Sequence, residues 1–219
     1  MNEEQKPLNI ILLGISGSGK GTQGGILRER YNLEYIGTGD LLRQFSKEDN
    51  AVARRMKQEL AEGKLVPTWL PFYLWMNKLA HVSEKKGVLF DGSPRKIMEA
   101  ELLEDVLDWY GRSNIKAILI DVSPEESFRR LINRRTCEKC GKSAYISQEK
   151  TEAICEYCGG VMRIRPEDNP EAIKTRIKWF HDEVSQVIDF FEKKGQLIRI
   201  NGDQSVDDVT KDMIKAIEG

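Results

Sequence analysis

The sequence predicts an α/β fold in which a doubly wound, five-stranded parallel sheet is covered by helices on both faces. Short apolar runs alternate with segments of helical period along the chain, the order typical of parallel strands joined by helices. Most of these runs lack polar alternation, as expected of strands that are buried on both faces.

Five apolar runs have the length of strands and are bounded by Gly, Asp or Asn. They are Leu8–Leu13, Leu33–Ile36, Val88–Phe90, Ala117–Val122 and Leu197–Ile200. Segments of helical period lie between and after them. They are Lys20–Arg30, Ala51–Glu62, Leu70–Ser83, Ala100–Trp109, Pro124–Arg134, Glu171–Lys193 and Val206–Ile217.

Two stretches interrupt this alternation. Residues 38–67 separate the second strand from the third with helical, charge-rich sequence, and residues 135–168 carry all four cysteines. The order of strand and helix resumes after each stretch. We therefore expect two insertions that project from one core domain, formed by residues 1–37, 68–134 and 169–219.

Composition predicts a globular protein that binds neither membrane nor nucleic acid. The 219 residues are 40% hydrophobic and 32% charged, with a formal net charge of -1. A chain of this length buries a core without disulfides, and its balanced charge disfavours coating nucleic acid. Met1–Pro7 is polar and acidic, and no apolar run approaches membrane-spanning length. We expect a cytoplasmic protein.

The loop after the first predicted strand has a phosphate-binding pattern. Residues 14–22 are GISGSGKGT, and the glycines let successive backbone N–H groups point at phosphate oxygens. The helix that begins there adds the positive end of its dipole, and Lys20 brings a cation to the β- and γ-phosphates. The loop predicts nucleotide binding, but switches, ATPases and kinases all share it.

The four cysteines form two Cys-x2-Cys pairs, separated by residues 141–154. The pairs are Cys137 with Cys140 and Cys155 with Cys158, and Gly follows each pair. This spacing suits a closed, tetrahedral structural zinc site. Four reduced thiols or a redox pair are the alternatives. A zinc ribbon that binds nucleic acid is disfavoured, because acidic residues stand among the lysines of this segment.

Several blocks resemble the adenylate kinase family, in the same order along the chain. The family's phosphate loop, with its displaced Thr, is similar to residues 17–23 (GSGKGTQ), and its monophosphate-binding segment to residues 35–43 (YIGTGDLLR). The end of its monophosphate-binding insertion resembles residues 63–67 (GKLVP), and the segment after its third strand resembles residues 91–95 (DGSPR). Its long, zinc-bearing lid is matched by Arg130, Arg134 and the four cysteines, and Arg165, Asp168 and Arg176 follow in the family's order.

This resemblance implies a P-loop NTPase-type fold with a monophosphate-binding insertion at residues 38–67 and a lid insertion at residues 135–168. It implies reversible transfer of the γ-phosphoryl group of ATP to AMP, giving two ADP, with Mg²⁺ bound to ATP. The partners would be ATP and a nucleoside monophosphate, and the protein would be a monomer.

The resemblance also implies a role for particular residues. A phosphoryl group in transfer spreads negative charge over its oxygens and needs cations around it. The implied catalytic residues are Lys20, Arg95, Arg134, Arg165 and Arg176. The implied ATP-binding residues are Gly17, Ser18, Gly19, Lys20, Gly21, Thr22, Arg130, Arg134, Ala144, Tyr145 and Gln204. The implied monophosphate-binding residues are Thr38, Arg43, Lys64, Leu65, Val66, Gly92, Arg95, Glu99, Arg165 and Arg176. Asp91 would orient waters around Mg²⁺.

Glu99 is the departure from the family pattern that bears most on substrate. Adenylate kinases usually have Gln there, whose amide can both accept from and donate to adenine, whereas a carboxylate only accepts. Glu99 would therefore suit guanine or cytosine donors, or else point to solvent from its helix. Thr38 favours AMP, because pyrimidine-specific relatives commonly have Ala there. A kinase for GMP, CMP or UMP and a non-catalytic nucleotide-binding regulator are the alternatives.

Overall fold

The computed structural model describes residues 6–62, 64–146 and 153–219. In chain order the elements are β1 (Asn9–Leu13), α1 (Lys20–Arg30), β2 (Glu34–Gly37), α2 (Thr38–Phe45), α3 (Ala51–Ala61), α4 (Trp69–Leu79), β3 (Val88–Asp91), α5 (Ile97–Trp109), β4 (Ile115–Asp121), α6 (Pro124–Ile132), β5 (Arg134–Cys137), β6 (Ser143–Tyr145), β7 (Met162–Arg163), α7 (Pro170–Trp179), α8 (Ser185–Lys193), β8 (Leu197–Asn201) and α9 (Val206–Glu218). A π-helical turn, Phe180–Val184, joins α7 to α8.

The central sheet has five strands in the order β2-β3-β1-β4-β8, and every neighbouring pair is parallel. Strand β1 is central and its residues are all buried, which explains why every residue after Asn9 is apolar. The predicted doubly wound α/β fold is confirmed, and each predicted strand agrees with an observed one to within two residues at either end.

Alternate residues of β1 point to opposite faces of the sheet, and each face has its own core. Ile11 and Leu13 lie in a buried cluster with residues of α4, α5 and α8, whereas Ile10 and Leu12 lie in a second cluster with residues of α1 and α9. This alternation follows from the period of two along a strand. Two layers of helix therefore hold the carboxyl ends of the strands in fixed positions.

Side-chain caps fix where several helices begin. Asn50 accepts a hydrogen bond from the backbone N–H of Ala53 (2.8 Å) at the start of α3. Asn169 accepts from the N–H of Ala172 (2.9 Å) at the start of α7, where Pro170 occupies the first helical position. Such caps contribute about 1 kcal/mol each, and proline at this position removes an N–H that would be unpaired anyway.

The cysteine-bearing stretch contains strands that the sequence did not predict. Strands β5, β6 and β7 form a small antiparallel sheet, and Cys137, Cys155 and Met162 form its buried cluster. The sequence predicted a helix through Arg134, which is wrong. Helix α6 ends at Ile132 with Asn133 as its C-cap, and Arg134 is the first residue of β5.

The charge-rich stretch after β2 contains α2 and α3, which pack through their own small cluster of Leu42, Met56, Val66 and Leu70. Residue 63 of the predicted insertion and residues 147–152 of the predicted lid lie outside the described residues. Within the described part of the chain, no helix combines the length and apolar character needed to cross a bilayer.

Candidate active site

The loop between β1 and α1 wraps the start of α1. Gly14 has a φ of 147°, and a Cβ there would lie 2.7 Å from both the backbone oxygen of Ile120 and Oγ of Ser18, so only glycine fits. Gly19 is the left-handed N-cap of α1, and a Cβ there would meet no atom within 4 Å. The N-terminal end of α1 is therefore open on the side of Gly19, as anion binding at a helix start requires.

The Lys20 ammonium is folded onto this loop. Its Nζ donates to the backbone oxygens of Gly14 (2.7 Å) and Ile15 (2.9 Å). Burial lowers the pKa of Lys20 to about 8; the charge of Asp91 opposes this shift, and the charges of Arg95, Arg176 and Arg134 add to it. These arginines come from three separate parts of the chain. The fold therefore gathers positive charge around the loop.

Asp168 holds two of these arginines together. Its oxygens accept from Nε (2.8 Å) and Nη2 (2.6 Å) of Arg134 and from Nη1 of Arg176 (3.0 Å). The side chain of Asp168 is fully buried. A buried carboxylate is stable only when it is paired and hydrogen-bonded. Asp168 has such partners and links Arg134, at the start of β5, to Arg176 in α7. The sequence analysis matched this residue to the family without assigning it this contact.

Arg165 lies beside this pair and is held by the small sheet. Its Nε donates to Oγ1 of Thr136 (2.8 Å) and its Nη2 to Oγ of Ser143 (3.1 Å). Burial lowers the pKa of Arg165 to about 10, and the nearby charge of Arg134 adds to the shift. Burial has the same effect on Arg176. Cations forced this close together have a strong requirement for an anion between them.

Glu167 connects the two predicted insertions. One of its carboxylate oxygens lies 4.0 Å from Nη1 of Arg165 and 3.8 Å from Nη1 of Arg43. Arg43 also donates to Oδ1 of Asp40 (2.6 Å). The sequence analysis missed Glu167 and Asp40 as partners of these arginines, although both stand next to residues that it singled out.

Gly92 and Arg95, which follow β3, lie close to Thr38 at the start of α2. Gly92 has a φ of 83°, and a Cβ there would be 3.2 Å from Nη2 of Arg95 and 3.8 Å from Cβ of Thr38. Thr38 is buried, and its Oγ1 makes no hydrogen bond within the described residues. A buried hydroxyl without a partner is uncommon in proteins and is what a missing polar ligand would leave. The guanidinium of Arg95 covers the ring of Trp179, 5.2 Å from its centroid.

Glu99 has a partner in this site. Only 4% of its surface is exposed, so the solvent-facing alternative is wrong. Its Oε2 accepts from the backbone N–H of Arg95 (2.8 Å), which ties the carboxylate to the turn that begins α5. Burial raises the pKa of Glu99, while the N–H and the charge of Arg95 lower it.

Arg130 joins the phosphate loop to the loop after β8. Its Nη2 donates to the backbone oxygen of Gly202 (2.9 Å), and its Nη1 to that of Ser18 (3.5 Å). Nε of Arg130 donates to Oε1 of Glu126 (2.6 Å). Gln204 follows in the same loop, where its Nε2 donates to Oδ2 of Asp212 (2.8 Å).

The remaining predicted site residues differ in their exposure. Gly17 is half-buried and Ser18 is buried in the loop, and Gly21 and Thr22 are exposed in the first turn of α1. Ala144 and Tyr145 are exposed on β6. After α3, Lys64 is exposed, Leu65 is half-buried and Val66 is buried.

The four cysteines form a compact cluster. Their sulfurs all lie within 4.8 Å of one another, with 3.4 Å between Sγ of Cys137 and Cys158 and 3.6 Å between Sγ of Cys140 and Cys155. Metal–sulfur bonds of about 2.3 Å in a tetrahedron place sulfurs about 3.8 Å apart. A Cβ at Gly160 would lie 2.8 Å from Sγ of Cys137. Glycine at this position therefore lets the backbone pass close to the sulfurs. These residues have the arrangement of a metal site.

The fold and the site residues together define a P-loop phosphotransferase. A phosphate loop lies at the carboxyl end of a parallel sheet, and a buried group of arginines lies near it. Comparison with known proteins gives the family. The adenylate kinase model matches residues 12–196. The adenylate kinase of Acetivibrio thermocellus is 35% identical over 214 residues, covering 97% of this chain and 99% of that protein.

Further adenylate kinases are similar over nearly their full length. That of Caldicellulosiruptor bescii is 34% identical over 212 residues, covering 96% of this chain and 99% of that protein. That of Staphylococcus aureus is 35% identical over 213 residues, with the same coverage. The chain belongs to the adenylate kinase family, and the resemblance found in the sequence is confirmed.

Proposed function

We propose that this protein transfers the γ-phosphoryl group of ATP to AMP, giving two ADP, and that it catalyses the reverse reaction. One observation carries the proposal. Arg134 and Arg176 meet on the carboxylate of Asp168, and burial together with the charges of Arg95, Arg176 and Arg134 lowers the pKa of Lys20, which is folded onto the phosphate loop. These cations, with Arg165 beside Arg134, would surround the end of a polyphosphate held by the loop.

The chemistry asks for alignment and charge rather than for proton removal. The attacking oxygen of a nucleoside monophosphate is already anionic near neutral pH. The barrier falls when the two nucleotides are held in line and the charge on the transferred group is stabilised. Lys20 would hold the phosphates of ATP. The planar fork of Arg95 would bind two phosphate oxygens at once. Arg134 and Arg176 would bind phosphate through the N–H groups that are not bonded to Asp168.

The two nucleotides are assigned to different groups of residues. We assign the monophosphate to Thr38, Arg43 and Arg95, where Gly92 lets the guanidinium of Arg95 come close to the start of α2. ATP is assigned to the side of the phosphate loop, with its base near Arg130 and the loop of Gln204. The residue groups named from the resemblance are retained as this proposal.

Mg²⁺ fits beside Asp91. The carboxylate ends β3 next to the loop, and a Cβ at Gly21 would lie 3.8 Å from its Oδ2. Carboxylate oxygens and waters are the ligands that Mg²⁺ prefers. Asp91 would orient the waters of the ion, and the ion when bound neutralises charge on the phosphates.

A structural zinc fits the cysteine cluster. Four thiolates from Cys137, Cys140, Cys155 and Cys158 leave no open position, so the ion would fix the shape of the segment rather than take part in the reaction. That segment carries Arg165 and directly follows Arg134. About one zinc per chain is expected by elemental analysis of protein purified without chelator, and absence of zinc would refute this part of the proposal.

Residues 38–67 and 135–168 would close over the core formed by residues 1–37, 68–134 and 169–219. Closure keeps water from the phosphoryl group, which water would otherwise accept. We also propose a monomer in the cytoplasm that binds neither membrane nor nucleic acid. Gel filtration, cell fractionation and a salt series of RNA binding test these points.

Glu99 supports a second candidate, a kinase for GMP, CMP or UMP. Its carboxylate is buried on α5 beside Arg95 and can only accept hydrogen bonds when ionised. Thr38, whose Oγ1 has no hydrogen-bond partner among the described residues, would offer AMP a partner and keeps AMP first.

The test is a coupled assay of ADP formation with AMP, GMP, CMP and UMP, using wild-type protein and the variants Lys20→Met and Lys211→Met. Lys211 is exposed and pairs with Asp208 on the surface, so its variant controls for loss of a lysine. We expect turnover with AMP, none in Lys20→Met and normal rates in Lys211→Met. Turnover of another monophosphate in place of AMP would change the substrate. No turnover with any of them would favour the regulator that binds nucleotide without catalysis.

A further inference from the structure

Tyr35 makes a hydrogen bond to Asp91, and this bond has no part in the proposed mechanism. Its hydroxyl donates to Oδ2 of Asp91, at 2.6 Å. The two residues lie on neighbouring parallel strands, where Tyr35 pairs with Leu89 and Gly37 pairs with Asp91. The phenol thus reaches along the sheet to the carboxylate at the end of β3. An O–H···O⁻ bond of this length is in the strong range for protein hydrogen bonds.

Two glycines make room for the Tyr35 ring. A Cβ at Gly24, in α1, would lie 2.9 Å from Cε2 of the ring, and a Cβ at Gly37 would lie 2.6 Å from Cε1. Gly37 has a φ of -87°, which any residue adopts, so its backbone does not require glycine. Glycine is therefore needed at both positions because it leaves space for the ring. We call this space the slot, and a larger residue at either position would narrow it.

The rest of the surroundings keep the hydroxyl a donor. Burial raises the pKa of Tyr35 far above its usual range, and the charge of Asp91 adds to the shift. In this bond the phenol is the donor and the Asp91 carboxylate is the acceptor. The strand itself is held at this point, because Nζ of Lys78 donates to the backbone oxygen of Tyr35 (2.7 Å). The hydroxyl occupies one oxygen of Asp91 and leaves the other for a different ligand.

We propose that Tyr35 is a positioning residue, whose hydroxyl fixes the Asp91 carboxylate in the orientation that holds the waters of ATP-bound Mg²⁺. The inference rests on the proposed function, in which Asp91 serves the ion. Tyr35 acts only through Asp91. Its loss should therefore weaken the response to Mg²⁺ while leaving the binding of the nucleotide itself intact.

The first test compares Tyr35→Phe with Tyr31→Phe by titration calorimetry with a non-hydrolysable ATP analogue, with and without Mg²⁺. The Tyr31 hydroxyl bonds Oε1 of Glu218 (2.9 Å) on the surface, so Tyr31→Phe is a matched loss of one phenol–carboxylate bond. Without Mg²⁺ we expect wild-type affinity in both variants. With Mg²⁺, Tyr35→Phe should bind about tenfold more weakly, the loss of one charge-assisted hydrogen bond. Wild-type affinity with Mg²⁺ in Tyr35→Phe would overturn the inference.

A second variant disturbs the hydroxyl without removing it. Gly24→Ala places a methyl group against the ring and should displace the phenol from Asp91, giving the same selective loss of Mg²⁺-dependent affinity. A Gly24→Ala protein with wild-type Mg²⁺ response would contradict the role of the slot. The two proposals fail differently. Absence of phosphotransfer by wild-type protein would reject the proposed function. Normal wild-type activity, together with an unchanged Mg²⁺-dependent affinity in Tyr35→Phe, would reject only the role of Tyr35.

Discussion

Asp168 offers a sensitive test of the arginine cluster, which consists of Arg95, Arg134, Arg165 and Arg176. The variant Asp168→Asn keeps the shape of the side chain but removes the charge that Arg134 and Arg176 share. The carboxylate is fully buried and the two arginine side chains are only 13% and 14% exposed. Solvent therefore screens this network poorly, and the two guanidinium groups would be left next to each other without an anion.

The expected effect is large for a single isosteric change. Breaking a buried ion pair by removing one partner costs about 3–5 kcal/mol of stability, and the amide of Asn retains a part of the hydrogen bonding. We expect a loss of about 3 kcal/mol, which for a chain of this size lowers Tm by about 6–12 °C. The arginines would also lose their alignment, and a displacement of this kind costs about 100-fold in turnover.

The measurement is thermal unfolding followed by circular dichroism, together with initial rates of ADP formation. Asp49→Asn is the matched control, because Asp49 pairs with Arg54 at 2.7 Å while 97% of the Asp49 side chain and 64% of the Arg54 side chain are exposed. Such a surface pair contributes about 0–1 kcal/mol. If Asp168→Asn unfolds at the same temperature as Asp49→Asn and retains wild-type turnover, the cluster does not depend on this carboxylate and our reasoning is wrong.

Three further predictions concern proton uptake, the metal and the base. Because Lys20 has a pKa of about 8 in the free protein and phosphate oxygens favour its charged form, ATP binding without Mg²⁺ should take up a proton above pH 8. Calorimetry in buffers of different ionisation enthalpy should detect this uptake in the wild type and not in Lys20→Met; equal uptake in both would contradict it. Cys140→Ser should lose the metal and show more rapid proteolysis near residues 135–168, while a variant with full zinc content would argue against the four-sulfur site. Glu99→Gln should lower the KM for AMP relative to GMP, since an amide can also donate to adenine; an unchanged preference would mean that Glu99 serves only the turn at Arg95.

Much of the fold could be predicted because burial leaves a direct mark on sequence. The central strand, Asn9–Leu13, is buried along its whole length, so its composition alone identifies it. Helix α7 begins where Asn169 and Pro170 provide a cap and a preset first turn. The short strands of the cysteine-bearing segment lack such a mark, because β6 is wholly exposed and β7 has two residues.

Parts of the site depended on side-chain direction, which the sequence does not carry. The spacing of Glu99 on its helix could not tell whether its carboxylate meets a base, solvent or the N–H of Arg95. Tyr35 escaped notice for the same reason, since its contact with Asp91 depends on space left by Gly24 in another element. The loop and the cysteine pairs were predictable because their chemistry is set by residues close together in the chain.

Transfer of label between nucleotides tests the central claim most directly. ATP labelled in its γ-phosphate is mixed with AMP, Mg²⁺ and the protein, and the products are separated. We expect the label to appear in ADP, with almost none in inorganic phosphate, because the arginines would stabilise a phosphoryl group that moves directly to the second nucleotide. Label that appears only as inorganic phosphate, or that remains in ATP, would contradict it.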